Sequence, residues 1–144
     1  MKIFVYFVGK PKDVHANAMA AEYVKRTSHY APCTMAEIRL DGSGRHREDL
    51  WAKHPTAKKI LMDPAGVAME SAPFSQIFSK AEMLGYDLVF AIGGHDGHPE
   101  EWRKKADLLI SLSAMTMPHE LARAVLAEQI YRAFTILRGH PYPR

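Results

Sequence analysis

The sequence predicts an α/β domain built on a largely parallel sheet. Short apolar runs rich in β-branched and aromatic residues recur along its 144 residues. Segments with helical spacing of apolar positions separate them. Gly and Pro punctuate most boundaries. Strands that alternate with helices have both faces covered, which favours parallel pairing.

Lys2–Val8 is the first expected strand, stopping at Gly9. Val14–His29 follows as a helix, with Ala18, Ala21, Tyr23 and Val24 in support, and Pro32 ends it. Thr34–Leu40 is a second strand, weakened by Ala36 and Glu37. Asp41–Arg47 (DGSGRHR) is a basic, glycine-rich loop, and Glu48–His54 a short helix. Lys58–Asp63 is a third strand that stops before Pro64 and Gly66. Pro73 opens a helix to Leu84, with Gly85 as its stop. Asp87–Ile92 is the fourth strand, and Gly93–Gly97 a tight turn. A helix follows from Pro99 to Ala106, and then a fifth strand over Asp107–Leu112. After the Ser113–Met117 loop, Pro118 opens the longest helix, to Leu137, and Arg138–Arg144 form a tail. No repeat, low-complexity segment or linker interrupts this order, so residues 1–144 are expected to form one domain.

Composition bounds the function. The chain is 47% hydrophobic and 24% charged, enough for a core under a soluble surface. A formal net charge of +3 permits an RNA partner without establishing one. Cys33, the single cysteine, can form neither an intrachain disulfide nor a Cys-x-x-Cys zinc site, which suits a reducing cytosol. The apolar start is too short for a signal peptide or a membrane span, so a cytoplasmic protein is expected.

Ligands of open parallel sheets bind outside the carboxyl ends of the strands. Three such ends are conspicuous: Met62-Asp63 with Pro64-Ala65-Gly66, Gly93-Gly94 with its turn, and Leu112-Ser113-Ala114-Met115-Thr116-Met117. Glycine lets a ligand approach the backbone, while Met and Leu can sandwich an adenine. The trio is compatible with an adenosine-type cofactor. A tight turn at Gly93-Gly94 and core packing of Met115 and Met117 are the plainer readings of the same residues. Neither a Gly-x-Gly-x-x-Gly fingerprint nor a Gly-x-x-x-x-Gly-Lys loop is present. His95 and His98 flank Asp96 without a third metal ligand nearby, so no metal is expected. Ser111 and Ser113 lack a nucleophile-elbow context.

The last helix is apolar around most of its circumference, with Glu120, Arg123, Glu128, Gln129 and Arg132 as its polar residues. This suggests one side packed on the sheet and another on a second subunit, the alternative being a central helix in one core. The tail His140-Pro141-Tyr142-Pro143-Arg144 is stiffened by two prolines. Tyr can stack on a base and Arg can pair with phosphate or an anionic base.

These segments resemble the family of ribosomal large-subunit pseudouridine N3-methyltransferases, of the SPOUT class. The resemblance rests on Phe90-Ala91-Ile92-Gly93-Gly94-x-x-Gly97, on Ser111 to His119, on Tyr131-Arg132-Ala133 and on His140-Pro141-Tyr142. It spans nearly the whole chain. It implies a C-terminal trefoil knot, S-adenosylmethionine as cofactor, and a homodimer. The implied substrate is 23S rRNA of the large subunit or 70S ribosome, methylated at N3 of a pseudouridine in helix 69 (expected position 1915). The sequence departs from the family pattern at two places. His95-Asp96 stands where Pro-Glu is common, and Pro143 replaces a second tail histidine.

The cofactor site is thus expected to involve Met62, Gly93, Gly94, Leu112, Ser113, Ala114, Met115, Thr116 and Met117. Arg144, Tyr142, His140 and His119 are the catalytic candidates. Histidine titrates near neutrality, so His119 and His140 are both open as the group that takes the N3 proton. Gly94→Arg is expected to abolish cofactor binding in a folded protein. Two other classes of function compete: a non-catalytic RNA-binding or ribosome-associated factor, and a metal-dependent hydrolase.

Overall fold

Every strand pairing in the five-stranded sheet is parallel, in the order β2-β1-β4-β3-β5. The structure, a computed structural model, describes residues 1–143. The strands are β1 (Ile3–Val8), β2 (Cys33–Ile38), β3 (Lys58–Ala68), β4 (Leu88–Ile92) and β5 (Leu108–Ser111). The helices are α1 (Val14–Thr27), α2 (Leu50–Lys53), α3 (Ser71–Leu84), α4 (Glu100–Lys105) and α5 (His119–Arg138).

Side chains alternate across a strand, and the two faces carry two cores. Ile3, Val5 and Phe7 of β1, with Leu88, Phe90 and Ile92 of β4, pack with Phe74, Phe78, Leu126, Ile130 and Phe134 from α3 and α5. Tyr6 and Val8, with Val89 and Ala91, face Leu50 of α2 and Trp102 of α4. Both faces are covered, which is why the strands read as continuous apolar runs.

Local chemistry sets the helix ends. Asp13 caps α1, its carboxylate accepting from the Ala16 N–H at 3.0 Å. Gly85 ends α3 in the left-handed region at φ 75°. Burial pushes the Cys33 thiol up to about 12, which leaves it inert.

Two expectations need correction. The third strand does not stop at Asp63: β3 leaves the sheet after Met62 and pairs again with β5. Met62 and Val67 both register with Ile110, so residues 63–66 loop outward between them. Arg123 is not part of a polar surface. It is fully buried, donating to the Val8 and Gly9 carbonyls at 3.2 and 3.0 Å, with its guanidinium 3.9 Å from the centre of the Phe7 ring. The apolar circumference of α5 is largely accounted for within one chain. Half of its residues are buried, against α1, α3 and the sheet. Leu121 and Ile136 remain exposed.

Candidate active site

The carboxyl ends of β3, β4 and β5 open into one cavity of about 290 Å³. All nine residues expected at the cofactor site line it, from Met62 through Gly93 and Gly94 to the segment Leu112–Met117. His119, the first residue of α5, lines it too. Asp63, Pro64, Ile92 and His95 join the lining without having been expected there, although Asp63 and Pro64 stand at a strand end that the sequence marks.

Each wall has a local cause. Ser113 accepts from the Met115 N–H at 2.9 Å, while the Ser111 hydroxyl donates to the Ser113 carbonyl at 3.0 Å. These bonds fold the β5 loop back over the cavity. Gly94 and Gly97 close the β4 turn. A Cβ on Gly93 would lie 2.9 Å from the Gly97 backbone, and one on Gly94 would lie 3.0 Å from the Val8 side chain. The glycine pair is therefore required first by the fold. Gly94→Arg would disturb the end of β1 as well as any ligand, so it is a poor probe of the site.

The lining suits the expected cofactor. Among the described residues no Lys or Arg lines it, while Asp63 contributes a carboxylate. A ligand carrying a sulfonium charge meets no fixed cation there. The Met115 side chain is 81% exposed at the rim, so it is not a core residue. Met117 is half-buried and packs against the main core. Among the described residues, no group of three His, Cys, Asp or Glu is placed to hold a metal ion. No helix among them is long and apolar enough to cross a membrane.

His119 is positioned by a network the sequence did not reveal. Glu120 accepts from the Lys12 and Asp13 N–H groups at 2.6 and 2.9 Å, and its carboxyl is held below its ordinary range by those bonds. Arg123, one turn on, donates to Asn17 at 3.2 Å. Together they fix the start of α5 against the end of β1 and the start of α1. A Cβ on Gly9 would lie 3.8 Å from Nε2 of His119.

The tail is elsewhere. Tyr142 packs edge-on against Tyr131, with ring centres 4.8 Å apart, and its hydroxyl lies 3.0 Å from both Tyr23 and Glu128. Arg132 donates to the Pro143 carbonyl at 2.6 Å and lies over the Tyr142 ring. Burial, then the bonds to Tyr23 and Glu128, raise the Tyr142 phenol above its ordinary range. The tail is therefore docked, not a free end. Glu128 lies nine residues along α5 from His119, or about 14 Å at 1.5 Å per residue. The structure thus separates Tyr142 and the exposed His140 from the cavity of their own chain. Arg144 lies outside the described residues.

Burial lowers the titration of His46, His54 and His98. A depressed histidine binds its proton more readily in the unfolded chain. Its contribution is present above the unfolded value of 6.5 and is lost as pH falls towards the folded value. The urea midpoint is expected to be lower at about pH 5.5 than at about pH 7.5, and His98→Leu should reduce the difference. Equal midpoints at the two pH values would contradict burial of these rings.

Comparison with known proteins agrees with this geometry. A family model described as "Predicted SPOUT methyltransferase" matches residues 1–143. The chain is 63% identical over 144 residues to ribosomal RNA large subunit methyltransferase H of Solibacter usitatus, covering all of both chains. It is 37% identical to a protein of that name from Thermus thermophilus, covering 100% of this chain and 99% of the other. The fold is similar to that of an AdoMet-bound rRNA methyltransferase from Sinorhizobium meliloti. There the TM-score is 0.52 at 13% identity, over 91% of this chain and 56% of that one. The chain belongs to the SPOUT methyltransferases, within the family of ribosomal RNA large subunit methyltransferase H.

Proposed function

We propose that the protein methylates N3 of the helix 69 pseudouridine in 23S rRNA of the large subunit or 70S ribosome, working as a cytoplasmic homodimer. The coarser part follows from family membership: it is an S-adenosylmethionine-dependent rRNA methyltransferase. The observation that carries the proposal is the convergence of the three strand-end loops on one cavity beside His119. The SPOUT knot and the single domain over 1–144 belong to the same reading.

Bound S-adenosylmethionine supplies an electrophilic methyl group on sulfur. Met62, Gly93, Gly94 and the Leu112–Met117 segment would hold it and shield it from water. Alignment against N3 is the largest resource available to such a site. The N3 proton must leave as the nitrogen–carbon bond forms and the sulfur–carbon bond breaks. His119 lines the cavity of its own chain, while His140 would arrive with the second subunit's tail as Tyr142 and Arg144 would, so each is a candidate proton acceptor. Tyr142 would stack on the base, and Arg144 would stabilise its negative charge. A tail docked about 14 Å along α5 from its own cavity favours a site completed by the second subunit's tail.

The homodimer predicts a light-scattering mass of twice 16.2 kDa at micromolar concentration. A mass of one chain would remove the shared site. The function itself is tested by incubating the protein and S-adenosylmethionine with ribosomes lacking the modification. One added methyl in the helix 69 fragment is expected by mass spectrometry. Methyl transfer confined to other fragments would overturn the proposed substrate.

A further inference from the structure

Met62, Asp63 and Pro64 wall the cavity where β3 loops out of the sheet, yet the groups that fix them lie behind, around α4. His98, just before α4, has Nε2 3.0 Å from the carbonyl oxygen of Met62. Met62 is the last residue before β3 leaves the sheet. A carbonyl only accepts, so the bond places the proton of neutral His98 on Nε2. Nδ1 is buried without a partner. Next along the chain, Asp63 accepts from Nε of Arg103 at 2.8 Å, while its other oxygen accepts from the Ala65 N–H at 2.8 Å. Glu100 holds the same guanidinium at 3.0 Å. On the opposite side, a Cβ on Gly66 would lie 2.5 Å from the Leu109 backbone, so the returning chain is pressed directly onto β5.

We infer that His98 and Arg103 are positioning residues for the methyl donor, clamping the Met62–Pro64 wall of its cavity from α4. The inference rests on the cofactor reading of that cavity. Neither residue lines it. The Asp63 side chain is 11% exposed and that of Arg103 33%, so the pair is partly screened from water. The His98 bond is the more buried contact, flanked by the Trp102 ring with centres 6.4 Å apart. Without the two bonds, the loop would keep its pairing at Val67 but would sample other positions of Met62 and Asp63. Part of the binding free energy would then go into ordering the wall.

The chemistry dictates the variants. His98→Leu removes the donor, and His98→Gln retains an N–H at similar reach. Arg103→Met removes the ion pair from a half-buried position. Affinity for S-adenosylmethionine is read by calorimetry, and steady-state kinetics are measured on unmethylated ribosomes. His98→Leu and Arg103→Met are each expected to weaken cofactor affinity about five- to tenfold, the scale of one lost buried hydrogen bond. KM for the cofactor should rise alike, with kcat at saturating cofactor and KM for ribosomes unchanged. His98→Gln should return to within about twofold of wild type. A purely structural role would lower the active fraction without moving KM. Unchanged cofactor affinity in folded His98→Leu and Arg103→Met overturns the inference. If His98→Leu does not fold, Arg103→Met decides alone. Wild-type protein that binds no cofactor would instead overturn the reading of the cavity itself.

Discussion

Ala114→Arg is expected to abolish S-adenosylmethionine binding and methyl transfer together, with the melting temperature within about 3 °C of wild type. Ala114 lines the cavity and is exposed, in a loop where no residue other than glycine has positive φ. A longer side chain therefore costs the fold little. Placed on the cavity wall, it would compete with the ligand for a cavity of about 290 Å³. Its charge compounds the effect. Among the described residues no Lys or Arg lines the cavity, and a guanidinium beside a sulfonium is worth a hundredfold or more, at about 4 kcal/mol for 4 Å separation near a protein surface. Calorimetry with a thermal melt checks both halves. Retained affinity in the folded variant would remove the β5 loop from the cofactor site.

Deleting Tyr142–Arg144 is expected to remove most methyl transfer while leaving cofactor affinity near wild type. A solvated tail would also leave stability unchanged. The structure alters that expectation, because Tyr142 packs on Tyr131 and reaches Tyr23 and Glu128. The deletion should lower stability by about 1–2 kcal/mol, the worth of an edge-on aromatic pair with a hydrogen bond. Tyr142→Phe isolates the hydroxyl and should recover the packing share. The decisive arm mixes subunits. Ala114→Arg chains keep their tail and deleted chains keep their cavity. If each site joins one chain's cavity to the partner's tail, mixed dimers regain one working site, or about a quarter of wild-type activity after random pairing. No recovery after exchange would place cavity and tail of one chain together.

Local chemistry made most elements legible. The Gly85 stop and the continuous apolar runs of β1 and β4 act through neighbours in sequence, and the structure repeats them. The three loops of the cavity were legible for a related reason: a parallel sheet sends every carboxyl end the same way. What escaped depends on distant partners. Asp63-Pro64-Ala65-Gly66 reads as a terminus, and only β5 beyond it shows that the strand resumes. Arg123 reads as a surface cation. It is buried because carbonyls at Val8 and Gly9, more than a hundred residues earlier, accept its protons. The docked tail escaped likewise, since Tyr23 and Tyr142 meet across 119 positions. His98 was given no role by its spacing, and the contact of its ring with the Met62 carbonyl spans 36 positions.

Calorimetric titration of the wild-type protein with S-adenosylmethionine decides whether the strand-end cavity is a methyl-donor site. Saturable binding is expected, reversed by competition with S-adenosylhomocysteine and eliminated by Ala114→Arg. Absence of saturable heat in folded protein at millimolar ligand, or binding that survives Ala114→Arg, would contradict it.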